Sequence, residues 1–294
     1  MNSEWHRKDW VKVRGVPIVC AFSQNWERID NFQARKDDIV IATYPKSGTT
    51  WMSEIVDVIL NDGDTEKSRR DAIFNKVPML ELWAPGILPL GSRRLDSLPS
   101  PRVIKTHLPV RLFPKSLWEN NCKIIYVARN PKDVAVSFYH FSKMNQLHPE
   151  PGTWEEYVEK FIQGNMGSGQ WGEHVKEFWA LKQERNLLYI LYEDMLEDPK
   201  REIRKVMKFL GTELSDDVLE RICLHTSFKA MKENPTTNYT AMPSSILDQS
   251  VTPFMRKGIC GDWKDHFTVS QSEKFDEYYQ KQMSGTDLSF RFLV

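Results

Sequence analysis

Four short apolar runs, each followed by a polar turn and then a helical pattern, constrain the fold of this chain more than any other feature. Residues 38–44 (DIVIATY), 102–106 (RVIKT), 123–128 (KIIYVA) and 187–192 (LLYILY) read as buried strands. Between them lie amphipathic helices. Met52, Ile55, Val56 and Ile59 recur at i, i+3, i+4 and i+7, and Asn61-Asp62-Gly63 supplies a stop. Asn130-Pro131 places a capping side chain ahead of a proline at the first helical position, and Asp198-Pro199 repeats the device before Ile203, Val206, Met207 and Leu210. Strands alternating with helices predict an α/β fold with a mainly parallel central sheet flanked by helices. No internal repeat, low-complexity tract or Gly/Ser linker divides the chain, so residues 1–294 are expected to form one domain. In such sheets ligands bind beyond the carboxyl ends of the strands, and the loops there are expected to carry the chemistry.

The first of those loops is Thr43-Tyr44-Pro45-Lys46-Ser47-Gly48-Thr49-Thr50-Trp51. A strand, a tight turn and a helix N-terminus offer free N–H groups and the positive end of the helix dipole, a ready anion site. Gly48 permits close backbone approach, Lys46 adds a full charge, and Ser47, Thr49 and Thr50 add hydroxyls. The order does not fit GxxxxGK[ST], because the lysine precedes the glycine. The chain carries 40 basic and 40 acidic residues, so no bulk field draws it to nucleic acid or an anionic membrane, and any anion site must be local. Two further segments offer cations: Arg129 at the end of the third strand, with Ser137 two helical turns beyond it, and Arg256-Lys257-Gly258 far downstream. Lys105-Thr106-His107 follows the second strand and places a histidine beside a lysine at a strand's carboxyl end. The polar N-terminus, the lack of a membrane-length apolar run and four widely spaced cysteines (Cys20, Cys122, Cys223, Cys260) point to a soluble cytoplasmic protein without a disulfide frame or metal site. The Asn238-Tyr239-Thr240 sequon is discounted for the same reason.

TYPKSGTTW closely resembles the 5′-phosphosulfate loop of the cytosolic sulfotransferases, YVARNPKDVAVS and FMRKGICGDWK resemble their 3′-phosphate site, and the likeness runs over nearly the whole chain, nearest to the phenol-sulfating branch. The resemblance implies transfer of a sulfonate from 3′-phosphoadenosine 5′-phosphosulfate (PAPS) to the hydroxyl of a small phenolic acceptor, a xenobiotic, hormone or catechol. It implies that Lys46, Ser47, Gly48, Thr49, Thr50, Trp51, Arg129, Ser137, Tyr192, Thr226, Phe228, Arg256, Lys257 and Gly258 hold the nucleotide, with Trp51, Tyr192, Thr226 and Phe228 about the adenine. His107 matches the family's general base and Lys105 a lysine beside the transferring group; Lys46 and Ser137 complete the catalytic set, Ser137 restraining Lys46 until acceptor arrives. Phe22, Met79, Leu82, Phe141, Leu147, Tyr239 and Leu247, with Lys105 and His107, are the implied acceptor contacts. Relatives read YGSWY where this chain has Ser168-Gly169-Gln170-Trp171-Gly172, so two aromatics are missing and a roomier pocket is expected. Residues 264–273 fit KxxxTVxxxE, the family's dimer motif, which implies a homodimer through Lys264, Thr268, Val269 and Glu273. A sulfonate carries less charge than a phosphoryl group, so fixed lysines and N–H groups are expected to suffice without Mg²⁺. A P-loop kinase acting on nucleotides or small molecules and a non-catalytic nucleotide-binding or carrier protein of the same fold are the rival readings; the loop order and the RKG segment argue against the first, the intact Lys46, Lys105 and His107 against the second.

Overall fold

A computed structural model describes residues 5–294; the first four residues of the polar N-terminus lie outside the described residues. The four apolar runs form strands β3 (Ile39–Thr43), β4 (Val103–Thr106), β5 (Lys123–Ala128) and β6 (Leu187–Leu191), preceded by a small hairpin of β1 (Val11–Val13) and β2 (Val16–Ile18). The large sheet is parallel throughout in the order β4-β3-β5-β6, with Ile39 opposite both Val103 and Lys123, and Ile124 opposite Leu187. Residues of β3 are buried along its whole length, because helices cover both faces and no position has a wet side.

Three of these strands stop one residue short of their apolar runs at one or both ends. Asp38 and Arg102 sit just before β3 and β4, where the guanidinium donates to both carboxylate oxygens (2.8 and 2.5 Å) in a fully buried pair. Tyr192 is not the end of a strand: it opens the helix Tyr192–Glu197. Both proline-led caps are present. The Asn130 side chain accepts from the Asp133 N–H (2.9 Å) ahead of the helix Pro131–Met144, and Asp198 accepts from Arg201 N–H (3.0 Å) ahead of Pro199–Leu210. The helix Thr49–Leu60 ends at Asn61, with the Gly63 N–H returning to the Val58 carbonyl (2.9 Å). Residues 264–268 finish a 3₁₀ turn (Asp262–Asp265) and cap the helix Val269–Met283 through Thr268. No helix among the described residues is long and apolar enough to cross a membrane.

Candidate active site

Between β3 and the helix Thr49–Leu60 the chain makes a turn with both Lys46 (φ 69°) and Gly48 (φ 104°) in left-handed backbone conformation. A turn of this kind at a helix N-terminus gathers backbone N–H groups into an anion-binding concavity. Glycine is required at 48 for a second reason: a Cβ there would lie 2.9 Å from Cδ2 of Tyr192. Thr43 and Thr49 share a hydrogen bond between their hydroxyls (2.7 Å), which ties the strand end to the first helical residue.

The loops at the carboxyl ends of β3, β4 and β5 enclose an open cavity of about 420 Å³. Of the nucleotide, catalytic and acceptor residues named from the sequence, all line this cavity except Ser47, which is buried beneath the turn. At one end is His107. Its Nδ1 lies 3.0 Å from the Thr43 carbonyl, which only accepts, so Nδ1 carries the proton and Nε2 keeps its lone pair. Burial pushes the imidazole pKa down to about 4, with Lys105 and Lys46 adding repulsion against the Thr43 hydrogen bond, so the ring is neutral at pH 7. The His107 backbone is fixed on both sides. Its N–H donates to Glu81 Oε1 (2.7 Å), its carbonyl accepts from His174 Nε2 (3.1 Å), and the Thr106 hydroxyl holds the other Glu81 oxygen (2.9 Å). Lys105 Nζ donates to the Tyr239 hydroxyl (2.8 Å).

At the other end the cations converge. Arg129 spans two loops, donating to the carbonyls of Lys46 (3.2 Å) and Ile259 (2.9 Å), with its guanidinium 4.4 Å above the Tyr192 ring. Arg256 and Lys257 both reach the buried Asp262 carboxylate, and Asp133 anchors the same loop by accepting from the N–H groups of Gly261 (2.8 Å) and Trp263 (3.1 Å). Lys46 is pushed down to about 7, first by burial and then by Arg129 and Arg256. Two residues of the cavity wall carry a buried donor without a partner among the described residues: Trp51 Nε1 and Arg129 Nε. Buried donors without acceptors are costly, and an acceptor-rich anion satisfies both. Residues and leftover donors thus fit a nucleotide carrying charge at two positions.

Some features were not legible beforehand. Glu81 and His148 line the cavity although neither stood out in the sequence; His148 packs between Trp10 and Phe141 and is pushed down to about 3 by burial. Lys46 Nζ makes no hydrogen bond to Ser137: a desolvated ammonium finds π faces instead, 4.3 Å from the Phe141 ring and 4.5 Å from that of Phe254. Only one of the two missing aromatics bears on the cavity. Ser168 lines it, whereas Gly172 packs on the side chain of Gln282, where a Cβ would come within 2.3 Å.

A family signature described as a sulfotransferase domain matches residues 36–287. The chain is 58% identical to sulfotransferase 1B1 of the dog (Canis lupus familiaris) over 285 residues, 97% of this chain and 96% of the dog protein. It is 54% identical to sulfotransferase 1 family member D1 of the mouse (Mus musculus), with 97% and 96% covered. Among solved structures it superposes on retinol dehydratase in complex with retinol and PAP (TM-score 0.85, 29% identity, 95% of this chain and 90% of that one). Mouse sulfotransferase SULT7A1 complexed with PAP is also similar (TM-score 0.77, 32% identity, 95% of each chain). With the phosphosulfate-type loop, the paired cation clusters and this likeness along nearly its whole length, the chain belongs to the sulfotransferase family.

Proposed function

We propose that this protein transfers a sulfonate from PAPS to the hydroxyl of a phenolic acceptor, with His107 as general base. The observation that carries the reading is a neutral imidazole with Nε2 unprotonated, in the same cavity as Lys46, Lys105 and the Arg129, Arg256 and Lys257 cations. PAP in the retinol dehydratase and SULT7A1 structures supports the same nucleotide here. Lys46, Ser47, Gly48, Thr49 and Thr50 would hold its 5′ end, Arg129, Ser137, Arg256, Lys257 and Gly258 the 3′-phosphate, and Trp51, Tyr192, Thr226 and Phe228 the adenine. PAPS supplies an activated sulfonate and a leaving group already anionic.

His107 Nε2 takes the acceptor's proton as its oxygen attacks, and the Thr43 carbonyl stabilises the imidazolium that results. A phenol, with a pKa of about 10, gives up that proton more readily than an alkanol. Lys46 and the hydroxyls of Thr49 and Thr50 stabilise charge developing on the departing oxygen. Phe22, Met79, Leu82, Phe141, Leu147, Tyr239 and Leu247 present an apolar wall to the acceptor ring, and the small side chain of Ser168 in the same cavity leaves room for a substituent. Val269, an apolar residue 76% exposed, with Lys264, Thr268 and Glu273 also exposed, supports pairing of two copies, and four free cysteines support a cytoplasmic setting.

Incubation with PAPS and 4-nitrophenol, with and without EDTA, tests the reading: both samples should form the aryl sulfate. His107→Gln should lower kcat by about 10²–10⁴-fold while adenosine 3′,5′-bisphosphate (PAP) still binds. Retention of full activity in His107→Gln would remove the base.

A further inference from the structure

Lys46 is central to the reaction, yet its ammonium has no hydrogen-bond or ion-pair partner among the described residues. It sits between two aromatic rings, 4.3 Å from the centroid of Phe141 and 4.5 Å from that of Phe254. The two rings stand nearly edge to face, 6.1 Å apart at 76°. They come from different parts of the machinery. Phe141 lies one turn beyond Ser137 on the helix Pro131–Met144, while Phe254 stands two residues before Arg256 in the loop whose cations gather on Asp262. Phe254 is in turn stacked on Tyr239 (4.1 Å, 28°), and Tyr239 accepts the hydrogen bond from Lys105. A chain of direct contacts therefore runs from Lys46 through Phe254 and Tyr239 to the lysine beside His107.

A lysine in this position faces two cations, Arg129 and Arg256, and loses water to the cavity wall. Left alone it would swing toward solvent or lose its proton. The quadrupole of each ring attracts a desolvated ammonium strongly enough to bias its position on the order of tenfold.

We propose that Phe141 and Phe254 form an aromatic clamp, two positioning residues that hold the Lys46 ammonium between the nucleotide-facing and acceptor-facing parts of the cavity, and that Tyr239, stacked on Phe254, makes the clamp responsive to the acceptor. The clamp is a property of the ligand-free protein; only its consequence for rate rests on the sulfonate-transfer reading. Leucine in place of either phenylalanine keeps an apolar side chain but removes the ring's electrostatic face.

Two readouts test this. In the ligand-free protein, the ¹H–¹³C signal of the Lys46 ε-methylene, assigned by its loss in Lys46→Met, should stand upfield of the other lysines through ring currents. It should move back toward them in Phe254→Leu and in Phe141→Leu, and stay upfield in Phe254→Tyr. With PAPS and 4-nitrophenol, each leucine variant should lose kcat roughly tenfold with KM for PAPS changed much less, and Phe254→Tyr should recover most of the loss. A Lys46 signal already among the bulk lysines, or unmoved in both leucine variants, overturns the clamp. A signal that moves while kcat does not overturns its positioning role. A shifted signal in a wild-type protein that transfers nothing from PAPS leaves the clamp standing and removes the sulfotransfer reading instead.

Discussion

Gly258 separates stability from nucleotide affinity in a single substitution. Its φ is +67°, and a Cβ would lie 2.1 Å from Cδ2 and 2.5 Å from Cγ of Phe228. Gly258→Ala therefore incurs two costs. Holding alanine in the left-handed region costs about 1–2 kcal/mol. That strain is present in free and nucleotide-bound protein alike, so it lowers stability and leaves affinity untouched. The overlap with Phe228 cannot be relieved by a small shift, so the ring must leave its place against the loop. If that ring is one face of the adenine site, its displacement forfeits a base–aromatic stack of about 1–3 kcal/mol, which weakens binding about 5- to 150-fold. Thermal unfolding reads the first cost and calorimetric titration with PAP the second. Phe228→Ala should reproduce the affinity loss alone, and Gly258→Ala combined with Phe228→Ala should bind PAP no more weakly than Phe228→Ala does. Wild-type affinity in Gly258→Ala, or additive losses in the double variant, would refute the argument.

Three further outcomes follow from the site. Binding of a bisphosphate should restore the proton to Lys46, whose pKa lies at about 7 through burial and the nearby Arg129 and Arg256; at pH 8 titrations in buffers of different ionisation heat should show proton uptake, and affinity should fall as pH rises further, both effects vanishing in Lys46→Met. Because burial holds His107 near 4, kcat/KM should show no acidic limb from this group above about pH 5; an acidic limb near 6.5 that disappears in His107→Gln would contradict the buried, neutral base. Arg102→Ala strands the buried Asp38 carboxylate between β3 and β4 and should destabilise the protein by about 3–5 kcal/mol in urea unfolding, with PAP affinity in the folded fraction unchanged, since the pair lies at the opposite ends of the strands from the cavity.

Much of the frame was legible because a parallel sheet buried on both faces leaves no room for polar alternation. IVIAT and KIIYVA stand out for that reason, and Asn130-Pro131 and Asp198-Pro199 announce their helices by a mechanism any sequence shows. The strand order was not legible, since each crossover could place the next strand on either side. The hairpin of β1 and β2 escaped notice as well. Its strands are three residues long and its two-residue turn is Arg14-Gly15, both with positive φ (46° and 81°), where an Asn-Gly pair would have announced the turn. In the site, cations and hydroxyls beside a glycine were conspicuous in the sequence, but Glu81 was not. Its place beneath His107 depends on a bridge between Met79 and Lys105, a contact of the folded chain rather than of its spacing. His148 was hidden in the same way, among the aromatic residues that bury it. The clamp on Lys46 could not be read at all, because Phe141 and Phe254 lie far apart along the chain and meet only across the cavity.

In the proposed reaction two separated groups of positive charge grip opposite ends of one nucleotide. Calorimetric titration of the wild-type protein with PAP and with adenosine 5′-monophosphate, repeated in Arg256→Ala/Lys257→Ala, measures this directly. PAP should bind at least about 100-fold more tightly than the monophosphate, through two good charge-assisted contacts of about 1.5–3 kcal/mol each, and the advantage should collapse in the double variant. Equal affinity for the two nucleotides in the wild-type protein would contradict the two-ended grip.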